Sequence, residues 1–191
     1  GYKTYMCDCN LEDLSCDLNH LEKLFQEHNP SAFILVSPLG LVPNMDEIVL
    51  LCEQYDVLLL EDVCESHGAT FQERRLGSFG LMSNFSFYFA HHMSTIEGGM
   101  VCTDDESVYQ MLRMYRSHGM IREVSSKKLK DEWSGEYPQL NSDFIFAYPA
   151  YNVRNTELGA VIGLSQLKRL DENNRQRCIN HEIFLANLDP D

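Results

Sequence analysis

The chain has 191 residues, 44% of them hydrophobic, and a formal net charge of -14 at pH 7. That length is enough for one domain with a real core. The acidic balance argues against nucleic acid or an anionic membrane surface as a partner, but a local pocket can still receive a phosphorylated small molecule. No apolar run approaches the roughly 20 residues needed to span a bilayer. No signal peptide is visible, so a cytoplasmic location is expected.

Seven cysteines are scattered through the chain. Their odd number and mostly apolar surroundings fit reduced, buried thiols better than a disulfide framework. Cys7-Asp-Cys9 lacks a following Cys/His pair at zinc spacing, so no metal site is expected. The chain starts Gly-Tyr-Lys and stops at Asp-Pro-Asp straight after a helical pattern. The expectation is a piece of a longer protein.

Residues 1–17 are mixed and polar, with a short strand expected around Tyr2, Tyr5 and Met6. Leu18, Leu21, Leu24 and Phe25 fall on one face of a helix that stops near Asn29-Pro30. Ala32 to Val36 is a continuous apolar run, as in a strand covered on both faces. Asn44 or Asp46 then caps a helix with Ile48, Leu51, Cys52 and Tyr55 on its apolar side. Val57 to Leu60 is the next buried strand, and it ends in Glu61-Asp62. Strand, helix, strand reads as a crossover in a parallel sheet. In such sheets ligands sit beyond the carboxyl ends of the strands, which points to Glu61 and Asp62.

Gly77 and Gly80 lead into a stretch from Ser83 to Gly99. Phe85, Phe87 and Phe89 alternate there with polar residues and Tyr88, the pattern of a strand. It runs through His91-His92 into a polar turn closed by Gly98-Gly99. A hydroxyl, an imidazole and flexible glycines within a dozen residues are material for a small-molecule site. Met100 to Cys102 follows as a short strand. Asp104 or Asp105 starts a helix that ends at His118-Gly119, with the glycine as its cap. Residues 125–139 are charged and read as a surface excursion. A long helical pattern runs from Leu158 to Leu170 and continues or restarts as far as Leu188. No repeat, low-complexity segment or clear domain boundary is visible.

Four runs occur in order: LLLEDVCESHGATF (58–71), FSFYFAHHMSTIEGGMV (85–101), RSHG (116–119) and YNVRNTELGAVIGLSQLKRLD (151–171). Together they resemble the DegT/StrS family of nucleotide-sugar aminotransferases. The resemblance implies an α/β chain with the PLP-dependent transferase fold of the aspartate aminotransferase type (fold type I). It implies the central part of the PLP-binding large domain over residues 1–191, with a mainly parallel mixed sheet flanked by helices. An N-terminal segment and a C-terminal small domain would lie outside it.

The family's aminotransferases have lysine where this chain has His91, and that lysine forms the Schiff base with PLP. An imidazole cannot. The run from Ser86 to Gly99 is similar to a histidine branch of the family, the nucleotide 4-keto-6-deoxysugar 3-dehydratases. They remove the C3 hydroxyl on the way to 3,6-dideoxysugars of O-antigen polysaccharides. One subgroup holds a [2Fe-2S] cluster through four cysteines; Cys64 stands where its first cysteine would be, but the region some thirty residues after His91 (121–133), where the others should follow, has none. The resemblance therefore implies the cluster-free, colitose-pathway type, and no metal.

It also implies roles. His91 is the catalytic base, acting on PMP, the amine form of PLP. Asp62 pairs with the pyridinium nitrogen, Ser86 donates to the cofactor phosphate, and Glu65 stands near the phenolic oxygen. Asn152 reaches the cofactor phosphate of a homodimer partner, against a plain reading as a helix N-cap. His118 and Arg122 lie close to the site as substrate-binding candidates, with His118 orienting His91 or holding substrate, against a plain reading of His118 as a satisfied helix-end residue. His92 is structural or packs beside the cofactor ring, and His67 lies near the site without an assigned role. A nucleotide sugar and glutamate are the implied substrates. A nucleotide-sugar aminotransferase and an inactive fragment or binding homolog are the rival readings.

Overall fold

The computed structural model describes residues 1–188; the closing Asp-Pro-Asp lies outside them. The first helix, α1 (Leu18–His28), is capped by Asp17, whose carboxylate accepts the His20 N–H, and ends on Asn29 in the left-handed region. β1 (Ala32–Val36) follows, then a 3-10 turn at Pro38–Gly40 and α2 (Met45–Gln54). Asn44, not Asp46, is the α2 cap. β2 (Leu58–Asp62) lies parallel to β1 with Val36 opposite Asp62. A small antiparallel hairpin, β3 (Thr70–Phe71) and β4 (Arg74–Arg75), precedes β5 (Met82–Ser86). β5 is parallel to β2, and with β6 (Gly99–Cys102) the sheet order is β1-β2-β5-β6.

The chain divides into two compact units: Gly1–Met100 together with Glu157 onward, and Val101–Thr156. The core of the first is Leu21 and Phe25 from α1, Met45, Ile48 and Cys52 from α2, and Leu35, Leu59 and Val63 from the sheet side. Each such side chain contributes about 1.5–3 kcal/mol by leaving water. α5 (Glu157–Leu167) and α6 (Leu170–Asn187) belong to this unit, so the long helical pattern restarts, breaking at Lys168-Arg169. The second unit holds α3 (Glu106–Tyr115), capped by Asp105, and α4 (Lys127–Glu136), capped by Ser126. Met114, Ile121, Val124 and Ile145 form its core, with Leu129, Trp133 and Tyr148 packed against it.

Several expectations need correction. Residues 1–8 form no strand; just after them an isolated bridge pairs Cys9 with Cys16. β1 is covered on one face only, since Ile34 and Val36 are 62% and 53% exposed, and α1 and α2 pack on the other side. β5 ends at Ser86 rather than Phe89, because its partner β2 runs out at Asp62, opposite Asn84. Residues 125–139 lie at the surface as expected, but they are ordered into α4, with Trp133 packed against Tyr148. α3 stops at Tyr115, ahead of His118-Gly119. Cys9, Cys102 and Cys178 are exposed, so not all the thiols are buried; all seven are free.

Candidate functional site

β2 and β5 are adjacent parallel strands, and the candidate residues stand at or just past their carboxyl ends. Strand alternation sends Glu61 and Asp62 to opposite faces. Glu61 is 2% exposed. Its carboxylate accepts the backbone N–H groups of Gly77 at 2.6 Å, Phe79 at 2.7 Å and Gly80 at 2.7 Å. Glu61 therefore holds the loop that leads into β5 and is scaffold, not site. Gly77 is required there: its φ is +88°, and a Cβ would press on Phe85, Ser83 and Val63.

Asp62 is half-buried, and its Oδ1 accepts the Cys64 N–H at 3.1 Å. Opposite it on β5 is Asn84, whose Nδ2 donates to the Cys64 sulfur at 3.2 Å. Burial, and after it the Asp62 carboxylate, push the Cys64 thiol up to about 11, so it stays protonated. Glu65 turns back toward the end of β1, where its Oε2 accepts the Leu39 N–H at 2.8 Å. That bond fixes Leu39 in the left-handed region, at φ +57°. Ser86 closes β5; its Oγ accepts the Tyr88 N–H at 3.3 Å, which leaves the hydroxyl proton free to donate elsewhere.

Phe87 anchors the turn that carries His91. Its N–H donates to Gly98 O at 2.8 Å, and its carbonyl accepts the Thr95 N–H at 2.9 Å. The His91 N–H donates to Tyr88 O at 3.1 Å, and the two rings meet edge to face at 5.7 Å. The His91 side chain is half-buried. Behind it lies His67, 5% exposed, with its ring centroid 6.4 Å from His91, 5.9 Å from His92, 5.7 Å from Phe85 and 5.9 Å from Phe87. Burial, then His91, lowers the pKa of His67. Burial, then Arg177, His67 and His91, lowers His92 to about 4. Asn174 of α6 donates to His67 O at 2.7 Å. The sequence left His67 without a role and gave no sign of Asn174, which is 107 residues away along the chain.

The remaining candidates belong to the second unit. His118 is half-buried and left-handed, at φ +60°, and its N–H donates to Tyr151 O at 2.6 Å. The backbone places it beyond the helix, so the helix-end reading gives way to a strained turn. Gly119 must be glycine, since a Cβ would collide with the Tyr148 carbonyl. Ser117 bridges Asn152, which sets His118 and Asn152 on neighbouring runs. Asn152 is exposed, and its Oδ1 accepts the Arg154 Nε–H at 3.0 Å. It caps no helix, because α5 begins five residues later at Glu157. Arg122 is exposed, with Nε 3.4 Å from Glu123 Oε1.

Residues 1–189 match the model of the DegT/DnrJ/EryC1/StrS aminotransferase family. The chain belongs to this family. It is 38% identical over 185 residues to GDP-4-keto-6-deoxy-D-mannose 3-dehydratase of Escherichia coli O55:H7, covering 97% of this chain and 47% of that protein. It is 30% identical over 162 residues to UDP-4-amino-4,6-dideoxy-N-acetyl-beta-L-altrosamine transaminase of Helicobacter pylori, covering 85% of this chain and 37% of that one. Among solved structures, E. coli GDP-4-keto-6-deoxy-D-mannose-3-dehydratase with bound hydrated PLP superposes with a TM-score of 0.81 at 36% identity. The match covers 94% of this chain and 46% of that chain. The α/β fold with its mainly parallel sheet is thus that of the PLP-dependent aminotransferase-fold enzymes. The chain spans about half the length of the relatives it matches. Among the described residues, no helix is long and apolar enough to cross a membrane.

Proposed function

We propose that the whole protein is a cytoplasmic PLP/PMP-dependent 3-dehydratase of a nucleotide-linked 4-keto-6-deoxyhexose, working in 3,6-dideoxysugar formation for polysaccharide. These 191 residues make the central part of its PLP-binding large domain. The observation that carries the reading is His91, an imidazole where the family's aminotransferases have the lysine that holds PLP covalently. The donor set fits a cofactor held without that bond. A carboxylate (Asp62) and a hydroxyl with its proton free (Ser86) stand at the ends of adjacent strands, and a turn pinned by Phe87 presents His91 beyond them.

When bound as PMP, the cofactor supplies a primary amine for the sugar's 4-keto carbon and an electron sink. Asp62 would accept the pyridinium N–H and keep that nitrogen protonated, and Ser86 would donate to the phosphate. Glu65 borders the phenolic oxygen. His91 would take a proton at the cofactor C4′ carbon as the C3 hydroxyl departs; imidazole is a side chain suited to proton transfer near neutral pH. Glutamate would serve as the amino donor. His118 and Arg122 hold substrate. Asn152, exposed between the exposed Tyr151 and Val153, reaches the cofactor phosphate of the second subunit in a homodimer.

A second reading, a nucleotide-sugar transaminase, draws on the Helicobacter relative. His91 opposes it, because that chemistry uses the lysine in this family. The test is mass spectrometry of the sugar formed by the whole protein from GDP-4-keto-6-deoxymannose, PMP and glutamate. Loss of the C3 hydroxyl, abolished in His91→Asn, supports the dehydratase. A 4-amino sugar with its C3 hydroxyl kept overturns it.

A further inference from the structure

Four buried side-chain atoms of the first unit have no hydrogen-bond partner among the described residues: both ring nitrogens of His67, Nδ1 of His92 and Oδ1 of Asn174. The three residues adjoin. The two imidazoles lie 5.9 Å apart, and Asn174 already bonds the His67 carbonyl at 2.7 Å. Buried polar atoms are nearly always paired, and one buried water commonly satisfies several at once. A neutral imidazole offers one donor and one acceptor, and the Asn174 oxygen is a further acceptor. Three chain segments supply these atoms: the run after β2, the turn after β5, and α6.

The same His67 ring faces His91 with 6.4 Å between centroids. That is too far for a direct bond between the rings and right for one water between them. The charged groups facing the cluster are Arg177 on α6, which lowers His92, and Glu65, which raises it. Tyr88 borders His91 on its other side. Burial keeps His67 and His92 neutral near pH 7, so they serve as hydrogen-bonding groups and not as competing cations.

We propose that His67 is a positioning residue for His91: with His92 and Asn174 it holds one buried water that hydrogen-bonds the His91 imidazole and fixes its tautomer. The water accepts the N–H of the neutral His91 ring, which leaves the other ring nitrogen bare to take up a proton, and the same bond steadies the ring once it is protonated. This rests on the reading of His91 as the base. It concerns how the chain prepares that ring, whatever the sugar.

The test uses the whole protein labelled with 15N-histidine. Multiple-bond 15N–1H spectra across pH read the tautomer and pKa of His91 without turnover, and the pH profile of kcat/KM for C3-hydroxyl loss is measured beside them. In His67→Leu the His91 pKa falls by about half a unit or more, its tautomers mix, and kcat/KM drops about tenfold. In His67→Gln, which keeps an acceptor and a donor, all three stay near wild type. Asn174→Leu shifts His91 in the same direction by less, and decides the matter if His67→Leu does not fold. An unchanged His91 tautomer and pKa in His67→Leu or Asn174→Leu overturns the proposal, even if activity or stability falls, since packing alone would do that. A wild-type protein that makes no 3-deoxy sugar overturns the dehydratase reading, while the spectra still decide the role of His67.

Discussion

Two buried polar places lie six residues apart on one chain segment, and they are finished differently. Glu61 is closed: three backbone N–H groups of the 77–80 loop converge on its two oxygens. The His67–His92–Asn174 cluster is open, with four atoms that meet no partner among the described residues. Proteins pair nearly all their buried polar groups, because an unpaired one costs about 1–3 kcal/mol. A closed place is therefore part of what holds the fold. An open one beside a candidate base keeps its hydrogen-bonding capacity for something other than folding. Asp62 and Ser86 follow the second pattern at the strand ends, each with one modest bond to a neighbouring backbone N–H.

The largest effect should come from the open side and leave folding alone. His91→Asn should lower turnover of the whole protein by about 10²–10⁴-fold, the usual contribution of a positioned proton-transfer group. Its melting temperature should stay near that of the wild type, since the ring is half-buried in a surface turn. Full activity in that variant would remove the reason for contrasting the two places.

Glu61→Ala should do the reverse. It strands the Gly77, Phe79 and Gly80 N–H groups, at about 3 kcal/mol or more in total. Urea unfolding should show the loss as a lowered midpoint with little change in slope. A midpoint within error of wild type would mean that the loop is held by something else.

Acidification separates the places next. The folded-state pKa of His92 is about 4, and that of His67 is also lowered. An unfolded histidine titrates near 6.5. Between about pH 6.5 and pH 4 the unfolded chain therefore binds more protons, so stability is whole above pH 6.5 and is lost as pH falls through that window. Melting at pH 7.5 and pH 5 should show the drop, and a variant with both His67→Leu and His92→Leu should flatten it.

How far these places could be read from the chain depends on the range of the forces behind them. α1, α2 and β2 are legible because periodic apolar residues, caps and a short apolar run are local signals. The end of β5 is not, since the aromatic alternation continues to Phe89 while the pairing with β2 ends at Asn84. α4 carried a signal that charge obscured: Leu129, Trp133 and Tyr137 recur every fourth residue, a helical face, and all three pack on the second unit's core. Asp62, Ser86 and His91 come from short motifs that can be matched one residue at a time. The division of Glu61 from Asp62, and the joining of Asn174 to His67, depend on which segments fold together, and no local pattern carries that.

The finest test of the contrast is the stability of His67→Leu. Leucine fills much of the imidazole's space among Phe85, Phe87 and His92, and it removes two polar atoms that no described residue partners. Replacing such groups by apolar ones of similar shape is close to neutral, so the unfolding free energy at pH 7.5 should change by about 1 kcal/mol or less. Its gain should grow as pH is lowered, because the wild-type ring must be kept neutral against a rising proton concentration and leucine need not be. A loss as large as that of Glu61→Ala would mean that His67 is bonded as firmly as Glu61. The two places would then be alike, and His67 would count as scaffold too, whatever its effect on the His91 ring.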